Sequence, residues 1–74
     1  MESQQVITLD FVRDDGKREV TRLYRHTLAQ ARNMAESVFR KGRGLYVRVD
    51  ISTESGYSEI LPNLRPTLAD LRRI

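Results

Sequence analysis

Catalysis needs a nucleophile or proton carrier held beside partners, and this chain offers few of either. His26 is the single histidine. It stands just ahead of a threonine that reads as a helix cap, with no carboxylate or nucleophile spaced to orient it, so it reads as structural. Asp14 and Asp15 are adjacent carboxylates, but ahead of Gly16 a turn-forming role accounts for both. Gly42 and Gly44 follow a helix pattern and precede a strand pattern, the reverse of the order used by glycine loops that cradle phosphates. Cysteine is absent, which removes disulfides, thiolate chemistry and most structural zinc sites and fits a reducing compartment. The expectation is a protein that is not an enzyme, with no cofactor, no metal and no small-molecule substrate.

Anion binding has more behind it. Thirteen basic residues against ten acidic ones leave a net charge of +3, and eleven of the thirteen are arginine, whose planar fork suits oxyanions. The excess is local: residues 27–43 carry Arg32, Arg40, Lys41 and Arg43 against Glu36, and the last ten carry Arg65, Arg72 and Arg73 against Asp70. Arg32, Arg40, Lys41, Arg43, Arg72 and Arg73 are therefore the candidate contacts to nucleic acid or another anion. The competing reading is a solvated helix whose Arg32, Glu36 and Arg40 are spaced four apart for pairing.

The stretch RKGRGLYVRVD, residues 40–50, sets a basic-glycine pair before an alternating strand. Sheets that read RNA place aromatic rings at fixed positions after such a pair, so that unpaired bases stack on them. Arg43 and Leu45 occupy those positions here, leaving Tyr46 alone. A basic helix end, a glycine cap and a strand explain the same residues together.

The elements that position these groups follow from periodicity. In VITLDFV, residues 6–12, Ile7, Leu9 and Phe11 share one face of a strand. Asp15-Gly16 favours a two-residue type I′ turn, after which Lys17 to Arg25 returns antiparallel and pairs Phe11 with Val20, Leu9 with Arg22 and Ile7 with Tyr24. Thr27-Leu-Ala-Gln30 is a capping box. Leu28, Ala31, Met34, Ala35, Val38 and Phe39 then form an apolar stripe at the helical period, ended by Arg40 and Lys41 beside the negative pole of the dipole and by Gly42 turning left-handed.

Residues 4–34 laid on 44–74 give eight identities in 31 positions, among them Asp10/Asp50, Gly16/Gly56 and Glu19/Glu59. Ser55-Gly56 stands where Asp15-Gly16 stood, and Thr67 repeats Thr27. The expected fold is α+β, a single domain over residues 1–74. It is a tandem ββα-ββα pseudo-twofold repeat, with a four-stranded antiparallel sheet in order 2-1-3-4 and a long and a short helix on one face. Pro62, lacking an amide donor, belongs on an edge strand.

In that register the uncovered sheet face is acid-rich, displaying Asp10, Glu19, Asp50 and Glu59 against Arg25 and Arg48, which would repel phosphates as much as hold them. Val12, Leu23, Tyr46 and Leu61 lie on it as candidate protein contacts, joined by Leu68 and Leu71 of the short second helix. The leading expectation is a non-catalytic interaction module that binds a protein partner or forms a homodimer. The alternative is a small nucleic-acid-binding protein using the arginine-rich helical face. No apolar run approaches the roughly 18 residues a membrane span needs, no signal-peptide pattern opens the chain, and a cytoplasmic location is expected.

Overall fold

The computed structural model describes residues 3–65. Along them run β1 (Gln5–Arg13), β2 (Arg18–His26), α1 (Leu28–Gly42), β3 (Tyr46–Thr53) and β4 (Ser58–Pro62). The strands form one sheet in the order β2-β1-β3-β4, every neighbouring pair antiparallel. Strand order and edge position of Pro62 match the sequence expectation. The residues expected to form a short second helix, with Leu68, Leu71, Arg72 and Arg73, lie outside the described residues.

The helix starts as its capping box dictates. Thr27 Oγ1 accepts from the Gln30 amide at 3.2 Å, and the Gln30 side chain accepts from the Thr27 amide at 2.9 Å. Ala31, Ala35 and Phe39 are fully buried, with Leu28 and Val38 packed beside them. Met34, expected in the same stripe, is 41% exposed. At 100° per residue it sits about 100° around the helix from the Ala31–Ala35–Phe39 line, beyond the width the sheet covers. The helix also ends differently from the glycine-cap expectation. The left-handed residue is Arg43, at φ 49° and ψ 52°. Gly42 is required for another reason: a Cβ there would lie 2.9 Å from the Tyr46 ring.

Between α1 and the sheet lie Ile7, Leu9, Phe11, Leu23, Val49 and Ile51, all buried. Phe11 is at the centre, meeting Phe39 edge-on at a centroid separation of 5.9 Å and Tyr46 at 5.3 Å. Each large side chain buried in this way stabilises the fold by about 1.5–3 kcal/mol.

One correction changes half of the sheet's surface. Arg13 N–H donates to Lys17 O, and Gly16 N–H donates to Arg13 O, so the loop holds three residues, Asp14, Asp15 and Gly16, rather than two. With Gly16 at φ 87°, this is a type I turn followed by a left-handed bulge residue. Phe11 therefore faces Glu19, Leu9 faces Thr21 and Ile7 faces Leu23, not Val20, Arg22 and Tyr24. The second hairpin does the same: Thr53 N–H donates to Tyr57 O, Gly56 N–H to Thr53 O, and Ile51 faces Glu59 rather than Ile60. A slip of one residue sends every side chain of the returning strand to the opposite face.

Candidate interaction surfaces

The slip rebuilds both faces. Leu23, Tyr46 and Leu61, expected on the uncovered face as protein contacts, belong to the helix side: Leu23 is in the core, and Tyr46 and Leu61 pack against it. Glu19 and Glu59 move with them. Glu19 accepts the Tyr46 hydroxyl, and that bond, with burial, raises the tyrosine's pKa above its ordinary 10.0. Glu59 accepts from Arg32 at 2.7 Å. Arg32, a candidate anion contact, is thus engaged within the fold. Val12 does stay on the uncovered face but is only 8% exposed. Its cross-strand neighbours are Arg18 and Arg48, whose aliphatic stems account for its burial.

At the centre of the uncovered face Asp10 stands directly opposite Asp50. Two like charges in that position destabilise a sheet unless something lies between them. Arg18 does: one guanidinium nitrogen is 2.8 Å from Asp10 Oδ2 and 3.3 Å from Asp50 Oδ2, while Arg48 Nε donates to Asp50 Oδ1 at 3.0 Å. Partial burial pushes the Asp50 carboxyl up, but the hydrogen bonds from Arg48 and Arg18 outweigh it and hold the pKa below the usual aspartate value. The same carboxylates raise the Arg18 pKa, its hydrogen bond to Asp10 contributing most. Two carboxylates and two guanidiniums leave this centre neutral.

Val20, opposite Asp10, is 61% exposed, and Ile60, opposite Asp50, is 65% exposed. They flank the charged centre across an open concavity of about 550 Å³ whose lining includes Thr8, Ser52 and Ser58. The face is therefore neither acid-rich nor lined by the four apolar residues expected. The misleading signal was Asp14-Asp15-Gly16, which fits a two-residue and a three-residue loop alike.

The basic helix end is where the sequence places it. Arg40, Lys41 and Arg43 are exposed, and the ion pairs among the described residues draw on Arg13, Arg18, Arg32 and Arg48 instead. His26 hydrogen-bonds through Nδ1 to Tyr24 O at 2.7 Å. Among the described residues no three His, Cys, Asp or Glu side chains come together as a metal site, and no helix is long and apolar enough to cross a membrane. Comparison with protein-family models, with curated proteins and with solved structures finds no match to this chain.

Proposed function

We propose that this chain is a non-catalytic interaction module that binds a protein partner or a second copy of itself. The observation that carries the reading is the uncovered sheet face, where Asp10, Asp50, Arg18 and Arg48 neutralise one another and Val20 and Ile60 stand exposed on either side. A self-neutralised polar centre with apolar flanks suits a protein surface, whose contacts combine apolar area with matched charge.

We also read the fold as two related ββα units. In support, the two hairpin turns share the same pair of hydrogen bonds at a spacing of forty residues, and Asp10 and Asp50, equivalent under that shift, face each other across the central strand pair. Light scattering at two salt concentrations, with and without a mixed-sequence RNA, tests the functional reading. The expected result is association that survives high salt and needs no RNA. A chain that stays monomeric and binds only RNA, in a salt-sensitive way, overturns it.

That second outcome belongs to the alternative, a nucleic-acid-binding protein. The observation favouring it is the exposed trio Arg40, Lys41 and Arg43 at the end of α1, which takes part in no ion pair among the described residues. Replacing the three together by glutamine should then lower the salt slope by roughly 0.7 to 0.9 for each phosphate no longer neutralised. Tyr46→Leu should leave nucleic-acid affinity nearly unchanged, because the ring packs on Phe11 rather than offering a face to a base.

A further inference from the structure

Among the described residues the sheet has two free edges, and they differ. β4 is five residues long and includes Pro62. The hydrogen-bonded pairing of Thr53 with Tyr57 fixes the phase of that ladder, so the backbone positions of Ser58, Ile60 and residue 62 point outward. A proline at 62 has no proton to offer there, which blunts the edge. β2 is nine residues long, has neither proline nor glycine, and keeps regular strand geometry until Arg25 at φ 58°. By the same phase argument, starting from Arg13 and Lys17, the N–H and C=O groups of Arg18, Val20 and Arg22 face outward, followed by Tyr24, whose carbonyl already meets His26 Nδ1. Val20 and Tyr24 are 61% and 64% exposed.

Resting on the reading of this chain as an interaction module, we propose that its partner is a second copy, joined through β2 antiparallel to β2 in a register centred on Thr21. Charge decides the register. Antiparallel pairing centred on Val20 sets Arg18 against Arg22 of the second copy, centring on Arg22 sets the two Arg22 side chains against each other, and centring on Glu19 opposes two glutamates. Each is destabilising. Centring on Leu23 draws the left-handed Arg25 and the strand end into the ladder.

Centring on Thr21 keeps residues 18–24 in regular strand and opposes no like charges. It pairs Arg18 with Tyr24 of the second copy, whose ring meets the aliphatic stem while the guanidinium stays between Asp10 and Asp50, Val20 with Arg22, Glu19 with Leu23, and the two threonines with each other. The side chains that meet share a face, so the two sheets join into one of eight strands with both α1 helices on the same side.

The test exploits the Val20–Arg22 pair, two exposed residues whose replacement leaves the core intact. Val20→Lys places a lysine opposite Arg22 of the second copy and should weaken the dimer by ten-fold or more in sedimentation equilibrium. Adding Arg22→Glu should restore most of that deficit, because each cross-strand pair then joins an ammonium to a carboxylate, with unchanged circular dichroism throughout. In the native protein, the Val20 and Arg22 amides should become protected from hydrogen exchange as concentration rises. A dimer whose Val20 and Arg22 amides stay unprotected, or a failed rescue in correctly folded protein, overturns the edge register but leaves the broader module reading in place. A native chain that remains monomeric at millimolar concentration overturns the self-pairing, and only the salt-sensitive RNA result described above overturns the broader reading.

Discussion

In the first hairpin, Arg13 and Lys17 close a three-residue loop; forty residues later, Thr53 and Tyr57 close another with the same two hydrogen bonds. Corresponding rows cross the uncovered face, with Val20 beside Asp10 and Ile60 beside Asp50. The partners of these rows diverge. Where β2 has Arg18, Arg22 and Tyr24, β4 has Ser58 and Pro62 and then ends. Only the first hairpin supplies a cation that reaches both central aspartates, and only the second has a proline on its edge. A shared turn fixes the geometry of both ribbons, and the residues on the returning strand decide whether that ribbon neutralises, pairs or blocks.

The largest test of this comparison is a deletion after each turn. Removing Lys17 while keeping the three-residue loop slips β2 by one position, moving Arg22 to the exposed position of Thr21 and forcing Tyr24 into the core site that Leu23 fills opposite Ile7. Overpacking that site with the larger ring costs about 1–3 kcal/mol, and the slip also pulls Arg18 away from Asp10 and Asp50, so the midpoint of a urea titration should fall clearly. Removing Tyr57 slips β4 equally, but the Leu61 it displaces is only half-buried on an outer strand, so the destabilisation should be smaller even though Pro62 then takes an inward-facing position and costs a ladder hydrogen bond. Deleting Asp14 instead keeps Arg13 opposite Lys17 with Asp15-Gly16 as the loop, and should be nearly neutral. If the Lys17 and Tyr57 deletions cost the same, the two hairpins do not differ in the way described.

Next in size are the turn glycines. Gly16 and Gly56 both have positive φ, 87° and 97°, and neither would crowd a neighbour if it gained a Cβ. Gly16→Ala and Gly56→Ala should therefore each cost about 1–2 kcal/mol, from backbone conformation alone. Matching shifts in thermal midpoint would show that the turns are equivalent; a difference would place the asymmetry in the loops themselves.

The smallest expected effect concerns the central charges. A carboxyl whose folded pKa lies below its unfolded value adds stability that is present above the unfolded pKa and lost as pH falls through the folded one. For Asp50 that decline should begin near the ordinary 3.8 and continue below it. Arg18→Gln removes one of the two donors, so the Asp50 carboxyl should titrate closer to 3.8 by NMR, with only a small change in stability near neutral pH because solvent screens these groups. Ser58, at the corresponding position in β4, can be replaced by alanine without moving that titration.

Much of the architecture was legible in local chemistry. The Thr27–Gln30 box marked the start of α1, alternation marked β1 and β3, and Pro62 marked an edge. The face assignment was not legible, because Asp14-Asp15-Gly16 satisfies two loop lengths and the β2 sequence Val20-Thr-Arg-Leu-Tyr24 offers apolar residues to both faces. With Val20 and Tyr24 on one side and Leu23 on the other, hydrophobicity favoured the wrong side by count. What decides it is depth: Leu23 alone reaches the core beneath α1, and Glu19 and Glu59 gain Tyr46 and Arg32 on that side. The basic end of the helix was legible because it depends on sequence position alone. The neutral centre of Asp10, Asp50, Arg18 and Arg48 was hidden because it depends on the pairing of three strands.

The opposition of Asp10 and Asp50 also sets how quickly the chain can organise itself. Each hairpin closes through partners only a few residues apart, an event of about 1–10 μs for an isolated hairpin. Joining β1 to β3 brings together residues forty positions apart, with α1 and its connections in between. Neither ribbon is stable alone in water, so the slow, entropically costly step is the meeting of the two central strands rather than the formation of either turn. Substitutions at the Leu9–Ile51 and Phe11–Val49 pairs should accordingly slow refolding, whereas those at Val20 or Ile60, on the outer strands, should act mainly on unfolding.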